Sequence, residues 1–328
     1  MYWLGMNRLY VYLLLFFPVV ATAGFTVGES KNGAVVKYDG KLVTEYVVNQ
    51  ANKPYLWPLI GPGGVEMTRA YPMKDVEGER QDHPHHRSVW FGHQKLDGFD
   101  TWHEKRTIME RKGLPAMKAK KLEGLGSTVH KGFVKLEGGK DSATIVTRND
   151  YVASNGKKLL ADERTLVFRM GKGKLVLDFD IVFTAAHGDC PVGDMKDSGF
   201  CVRVPTTMTV DAKKGGKIVN SDGLKDKAAW GKRAEWVSFT GPVKGKDMGI
   251  AILNHPKSFR HPTPWHVRTY GLFTANAFGT KSIAKEKDGS FVLKSGESFS
   301  LLHRVIFHEG DTDTGGIAKE WEKYAAEK

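Results

Sequence analysis

His83, His85, His86, His93 and His103 account for five of the twelve histidines and share one stretch with Asp82, Arg87, Trp90, Trp102 and Glu104. Imidazole can take or give a proton near neutral pH, and it is the commonest metal ligand. So dense a group beside carboxylates, a guanidinium and indoles predicts a site rather than a stretch of core.

Two chemistries fit. Pro84 disfavours a helix, so an extended run would send His83 and His85 to one face and His86 to the other. Two imidazoles on one side can ligate a divalent metal, with Asp82, His93, Glu104 or a distant His266 completing the set. They can equally act as acid and base across a bound sugar, with Arg69 or Arg87 on a developing oxyanion. There is no HExxH and no CxxC pair to decide between them. A third reading needs no ligand: His-Pro-His-His pins a loop through hydrogen bonds to backbone carbonyls.

Two further segments carry residues that a sheet core does not need. One runs from Trp57-Pro58 through Gly61-Pro62-Gly63-Gly64 to Thr68-Arg69-Ala70-Tyr71-Pro72. The other is Asn254-His255-Pro256 with Phe259 to Arg268 and Tyr270-Gly271. Their prolines and glycines forbid a regular ladder and suit loops packed against something else. Trp57, Trp90, Trp102 and Trp265 lie in or beside these segments, and flat indoles suit the apolar face of a pyranose. A carbohydrate is therefore the expected ligand. His85 and His266 lead as acid and base, with His83 and His86 as supports or ligands. Arg69, Arg87 and Arg268 would bind anions or hydroxyls, Trp265 would be a platform, and Trp90 and His93 would join the substrate contacts. Trp230 and Trp236 sit in a basic stretch and read as packing. The opposing readings are a metal-dependent oxidoreductase or hydrolase using the same imidazoles, and a glycan-binding protein without catalysis.

The elements that must position these residues are strands. Ala34–Tyr38 and Lys41–Tyr46 flank Asp39-Gly40, a dipeptide suited to a tight hairpin, and Asn155-Gly156 plays the same part further on. Runs at Thr128–Leu136, Ser142–Ala153, Lys158–Met170, Lys174–Thr184, Gly249–Leu253, Val267–Thr274 and Ser298–Phe307 alternate or are β-branched. Only the C-terminus reads as helical, with Asp313 or Thr314 as cap and Ile317, Trp321 and Tyr324 at helical spacing. The expectation is an all-β chain, a large antiparallel sandwich with a short C-terminal helix.

Gly61-Pro62-Gly63-Gly64 with Thr68-Arg69 and Tyr71-Pro72, Asp82-His83-Pro84-His85-His86-Arg87 with Trp90-Phe91, and Pro262-Thr263-Pro264-Trp265-His266 with Tyr270-Gly271 and Asn276 resemble an exported bacterial family of uncharacterised proteins labelled methane oxygenase PmoA. The resemblance spans nearly the whole chain after the leader. The membrane subunit of particulate methane monooxygenase crosses the bilayer with several helices, whereas this chain has one short apolar segment and otherwise strands. What the resemblance implies is a supersandwich similar to the galactose-mutarotase-like fold, common among carbohydrate-active proteins. It also adds Asn276 to the substrate-binding candidates.

Arg8, the apolar run from Leu9 to Val20 and Ala21-Thr22-Ala23 read as a signal peptide over residues 1–23, with cleavage before Gly24. Residues 24–328 are then expected to be one exported domain, periplasmic or extracellular, with no membrane contact after cleavage. The formal charge is +12, spread through loop-like stretches such as Arg111 to Lys121, which suits a solvated surface or an acidic partner. No motif points to nucleic acid. An oxidising compartment would permit Cys190 and Cys201, the only cysteines, to form a bridge.

Overall fold

The computed structural model describes Met1 and residues 24–327. The expected leader and its cleavage point at Ala23 lie outside the described residues. Strands are numbered along the chain. The first sheet has eight strands, ordered β1 (Phe25–Glu29), β2 (Gly33–Tyr38), β3 (Lys41–Val47), β4 (Tyr55–Leu59), β5 (Val89–His93), β11 (Ser198–Arg203), β16 (Leu272–Ala275) and β15 (Trp265–Val267). The second, also of eight, runs β12 (Lys217–Asn220), β13 (Trp236–Val243), β14 (Lys246–Asn254), β18 (Ser298–Glu309), β9 (Lys174–Thr184), β8 (Lys158–Gly171), β7 (Ala143–Ala153) and β6 (Gly126–Gly138). A short pair, β10 (Cys190–Val192) and β17 (Phe291–Leu293), completes the strands.

The pairing is antiparallel throughout the named strands, and the two large sheets form a sandwich. Alternation supplies the core between them. Val89 and Phe91 of β5, Phe200 and Val202 of β11 and Phe273 of β16 meet Phe179, Phe183, Ile250 and Phe307 of the second sheet. Asp39 and Gly40 both take positive φ, 49° and 75°, as a tight turn between β2 and β3 requires.

The sequence reading departs from the structure in several places, and its loop segments at Trp57-Pro58 and Trp265-His266 lie partly in the ladders of β4 and β15. Val267–Thr274 is a hairpin, β15 and β16, because Arg268 to Gly271 turn the chain back. Two helices beyond the C-terminal one exist, α1 (Lys105–Glu110) and α2 (Pro115–Glu123). The second buries no side chain, so the apolar period that would reveal it is missing. The third helix, α3 (Ile317–Ala326), is capped by Gly316 in the left-handed region, while Thr314 closes a turn with Asp311. It packs Ile317, Trp321 and Tyr324 on the outer face of the second sheet, against Trp236 and Ile306. Finally, the cysteines are free and buried. Cys190 belongs to the inter-sheet core, whereas Cys201 alternates out of it to join Trp90, Trp102 and Leu272.

Candidate functional site

Parity in the first sheet builds the floor of the site. Trp265 and Val267 face the core, so His266 between them faces out. Its partner across the ladder is Thr274, whose neighbour is Cys201, whose neighbour is Trp90, whose neighbour is Tyr55. One outward row thus joins His266 to Tyr55 across five strands, with Trp90 on the fourth.

The loop between β4 and β5 folds over this row. His83 has φ 47° and His86 N–H donates to the His83 carbonyl at 2.9 Å, so the histidines sit on a turn and not on an extended run. A strand would have split them between two faces; the turn gathers them. His83 and His86 stack at 4.8 Å, His85 and His86 meet edge to face at 4.4 Å, and His85 lies 4.6 Å from His103. Tyr270, His83, His86 and Trp90 form a column of rings, closed at its ends by contacts of 5.3 Å.

Arg69 holds the turn from beneath. Its buried guanidinium donates to Asp82 Oδ1 and to the carbonyls of Tyr71, Arg80, Asp82, His83 and His86. Arg203 donates to the same Asp82 oxygen at 2.6 Å. Burial would raise the Asp82 carboxyl, but His83, Arg203 and Arg69 hold it well below the usual carboxylate range. Burial and neighbouring Arg69 push Arg203 down to about 9, which leaves it protonated at neutral pH.

Over the row lies a cavity of about 230 Å³ lined by His83, His85, His86, His103, His266, Trp102, Leu272, Tyr270, Arg111, Lys196, Asp197 and Arg268. A larger cavity of about 400 Å³, lined by Glu66, Lys74, Glu79 and Pro205 among others, contains no imidazole. The imidazoles line the smaller one.

The hydrogen bonds behind the rings set what each imidazole offers. His266 Nδ1 lies 2.9 Å from the Lys196 carbonyl, which only accepts, so Nδ1 carries the proton and Nε2 is a free acceptor. His86 is the reverse. Arg203 Nη1 lies 3.3 Å from His86 Nδ1, and a guanidinium only donates, so the His86 proton sits on Nε2. His103 Nδ1 meets Asp100 Oδ2 at 2.8 Å, and His85 Nδ1 meets the Thr107 hydroxyl at 2.9 Å. Burial pushes His266 down to about 4, against the opposing pull of the Lys196 carbonyl and Asp197. Burial, then His103, lowers His85 far below its ordinary value; burial, then His85 and Arg203, does the same to His86.

Of the residues singled out from sequence, His83, His85, His86, Trp102, His266 and Arg268 meet at this cavity. The others stand elsewhere. Trp265 is no platform: it is buried in the core, its Nε1–H donating to the Ala234 carbonyl at 2.9 Å. Trp90 is the floor beneath His86. Asn276 is buried and donates to the carbonyls of Met195 and Lys196, fixing the segment that anchors His266. Arg87 is taken up by a two-pronged bond to Glu104, which Lys53 also reaches at 3.2 Å, so neither faces the cavity. His93 points to the opposite side of β5, against Phe278, with burial lowering it to about 3. Asp82, His83, His85 and His93 therefore do not converge. Among the described residues no group of three or more His, Cys, Asp or Glu is arranged to hold a metal.

Arg111, Lys196, Asp197 and Arg203 escaped the sequence reading as site residues. Lys196 and Asp197 lie between the cysteines in a segment whose composition reads only as loop, and Arg203 looks like any polar residue at a strand end. Tyr270 and His103 stood inside or beside the motif segments, which was the available signal.

A model described as a family of unknown function, DUF6807, matches residues 33–322, and the chain belongs to that family. Comparison with curated proteins found no match. Among solved structures, the chain is similar to the GH36 α-galactosidase AgaA of Geobacillus stearothermophilus in complex with raffinose (13% identity, 56% of this chain and 27% of that one, TM-score 0.33). It is also similar to an α-galactosidase of Lactobacillus brevis (7%, 87% and 39%, TM-score 0.40). A third is the GH36 α-galactosidase AgaB of G. stearothermophilus (11%, 91% and 41%, TM-score 0.35). The chain spans less than half the length of each.

Proposed function

We propose that this member of a family of unknown function is an exported carbohydrate-active protein, its residues 24–328 one domain, that performs acid–base chemistry on a small sugar in the imidazole cavity. The likeness of its Gly61–Gly64, Asp82–Arg87 and Pro262–His266 motifs to the PmoA-like family and its implied mutarotase-like supersandwich belongs to the same proposal. One observation carries the chemistry: His266 and His86 line one cavity with opposite tautomers, each fixed from behind by a group that cannot reverse its role.

Such a pair can move a proton off a hydroxyl or an acidic C–H. His266 Nε2 accepts it, and Asp197 favours the imidazolium that results. His86 Nε2–H donates to the oxygen where negative charge develops, aided by Arg268. His86 acts as a neutral donor, so no second titration is required. The cavity's size suits one sugar ring rather than a large ligand.

His266→Gln and His86→Gln test the reading. Both should cut turnover of a responsive sugar by about 100-fold or more while the protein still binds it. Binding and turnover both unchanged would remove the cavity from the chemistry; binding without turnover in the parent would make this a glycan-binding protein. A second reading is the metal-dependent oxidoreductase or hydrolase, for which His85 and His266 have Nδ1 engaged away from the cavity, although His103 Nε2 is met by Arg111 at 3.3 Å and the described residues hold no preassembled ligand group. Metal analysis of protein purified without a histidine tag separates the two.

A further inference from the structure

Beside the imidazole cavity lies a second one, of about 290 Å³, bounded by Lys227, Trp230, Val267, Arg268 and Thr269. The two share Arg268. They also meet through rings, because Trp230 packs edge to face on His266 at 6.4 Å. Trp230 is half-buried, follows directly on the short turn Asp226–Ala229, and lines the second cavity while its ring reaches the His266 that lines the first.

The charges around this wall are of one sign. Arg268 lies 6.0 Å from the Trp230 ring on one flank, and Lys285 Nζ lies 6.0 Å from it as well. Lys227 adds a third cation, and no carboxylate lines this cavity. In the first cavity Asp197 is the only carboxylate, and Lys196 stands 4.0 Å from it. Among the described residues Arg268 and Arg111 have no carboxylate partner.

We propose that the Trp230 cavity is a second sugar subsite, so that the ligand is an anionic oligosaccharide of at least two rings. The inference rests on the sugar reading of the imidazole cavity and extends it. One ring would sit over His266 and His86. The next would lie along Trp230, with its carboxylate or sulfate on Arg268 and Lys227. A guanidinium fork matches either anion, and an indole wall suits the C–H face of a pyranose.

Calorimetric binding of galacturonate, digalacturonate, a sulfated disaccharide and neutral lactose tests this. Digalacturonate or the sulfated disaccharide should bind at least tenfold more tightly than galacturonate and lactose, with the advantage shrinking in high salt. Trp230→Ala should bring the acidic disaccharide down to the monosaccharide's affinity. The exposed pair Lys227→Gln with Lys285→Gln should weaken the acidic disaccharide several-fold even if Trp230→Ala fails to fold. Equal affinity for lactose and the acidic disaccharides, or no loss in either variant, overturns the second subsite. If galacturonate still binds in a His266-dependent way in that case, the first site stands. If no sugar of either charge binds, both proposals fall.

Discussion

Arg203 Nη1 lies 3.3 Å from Nδ1 of His86, and this contact writes the tautomer of an imidazole otherwise enclosed by rings. The same guanidinium holds Asp82, so it ties the turn that carries the histidines to β11, two strands from β15 and His266. The site is therefore fixed through one side chain as well as through the ladder.

Arg203→Lys should loosen that control. An ammonium is a compact charge and cannot serve His86 and Asp82 as a planar fork does. Turnover should fall by about 10- to 100-fold, the usual cost of losing an orienting partner. The His86 proton should redistribute between its nitrogens, visible in imidazole nitrogen NMR shifts. Shifts identical to the parent would show that Arg203 does not set the tautomer.

Trp265 and His266 are neighbours with opposite duties. Trp265→Ala should cost about 3–5 kcal/mol by denaturant unfolding, since it empties a core position and orphans the Ala234 carbonyl. His266→Gln should cost little in the same experiment and abolish turnover. A large stability loss in His266→Gln would make the histidine group a structural clasp.

Sequence alternation revealed the sandwich where period two is written in the strand: Ile145, Leu166, Phe168, Leu177 and Phe179 all fall on the core face it predicts, whereas β5 and β11 are buried along their whole length and carry no such alternation. It did not reveal which neighbour points into the site. Trp265 and His266 are equally conspicuous, and only the pairing of β15 with β16 decides that the tryptophan goes to the core. The histidine turn was hidden for a different reason. His83 takes positive φ, a conformation with no marker in its residue type, and Arg69, from a different loop, supplies the bonds that hold the turn. Lys196 and Asp197 reach the cavity by way of Asn276, a contact between distant segments that no local pattern records.

The cysteines give a prediction independent of function. Burial raises the Cys190 thiol to about 11 and the Cys201 thiol well above its ordinary value, and Thr274 Oγ1 lies 3.3 Å from Cys201 Sγ. Both should resist a thiol reagent in the native protein and react fully in denaturant, and reductant should leave the melting temperature unchanged. A mass lighter by two hydrogen atoms under non-reducing conditions would contradict this.

Acid should destabilise the protein before its carboxylates titrate. His266 and His93 are held down to about 4 and about 3, from an ordinary 6.5. As pH falls through about 6.5 the unfolded chain takes up these protons and the native state does not. Their neutral burial is thus without penalty above that value, and stability is lost as pH drops towards 4 and then 3. For His266 the loss amounts to about 3 kcal/mol. His85 and His86 act in the same direction. His93→Asn keeps an acceptor near Lys95 N–H but removes one titrating group, so its unfolding free energy should fall less steeply with acid than the parent's, with turnover unaltered. The acid limb of kcat/KM should follow His266 and lie near pH 4. A limb near pH 6.5 that persists in His93→Asn would show that the base is an imidazole in water, and His266 would lose its assigned role.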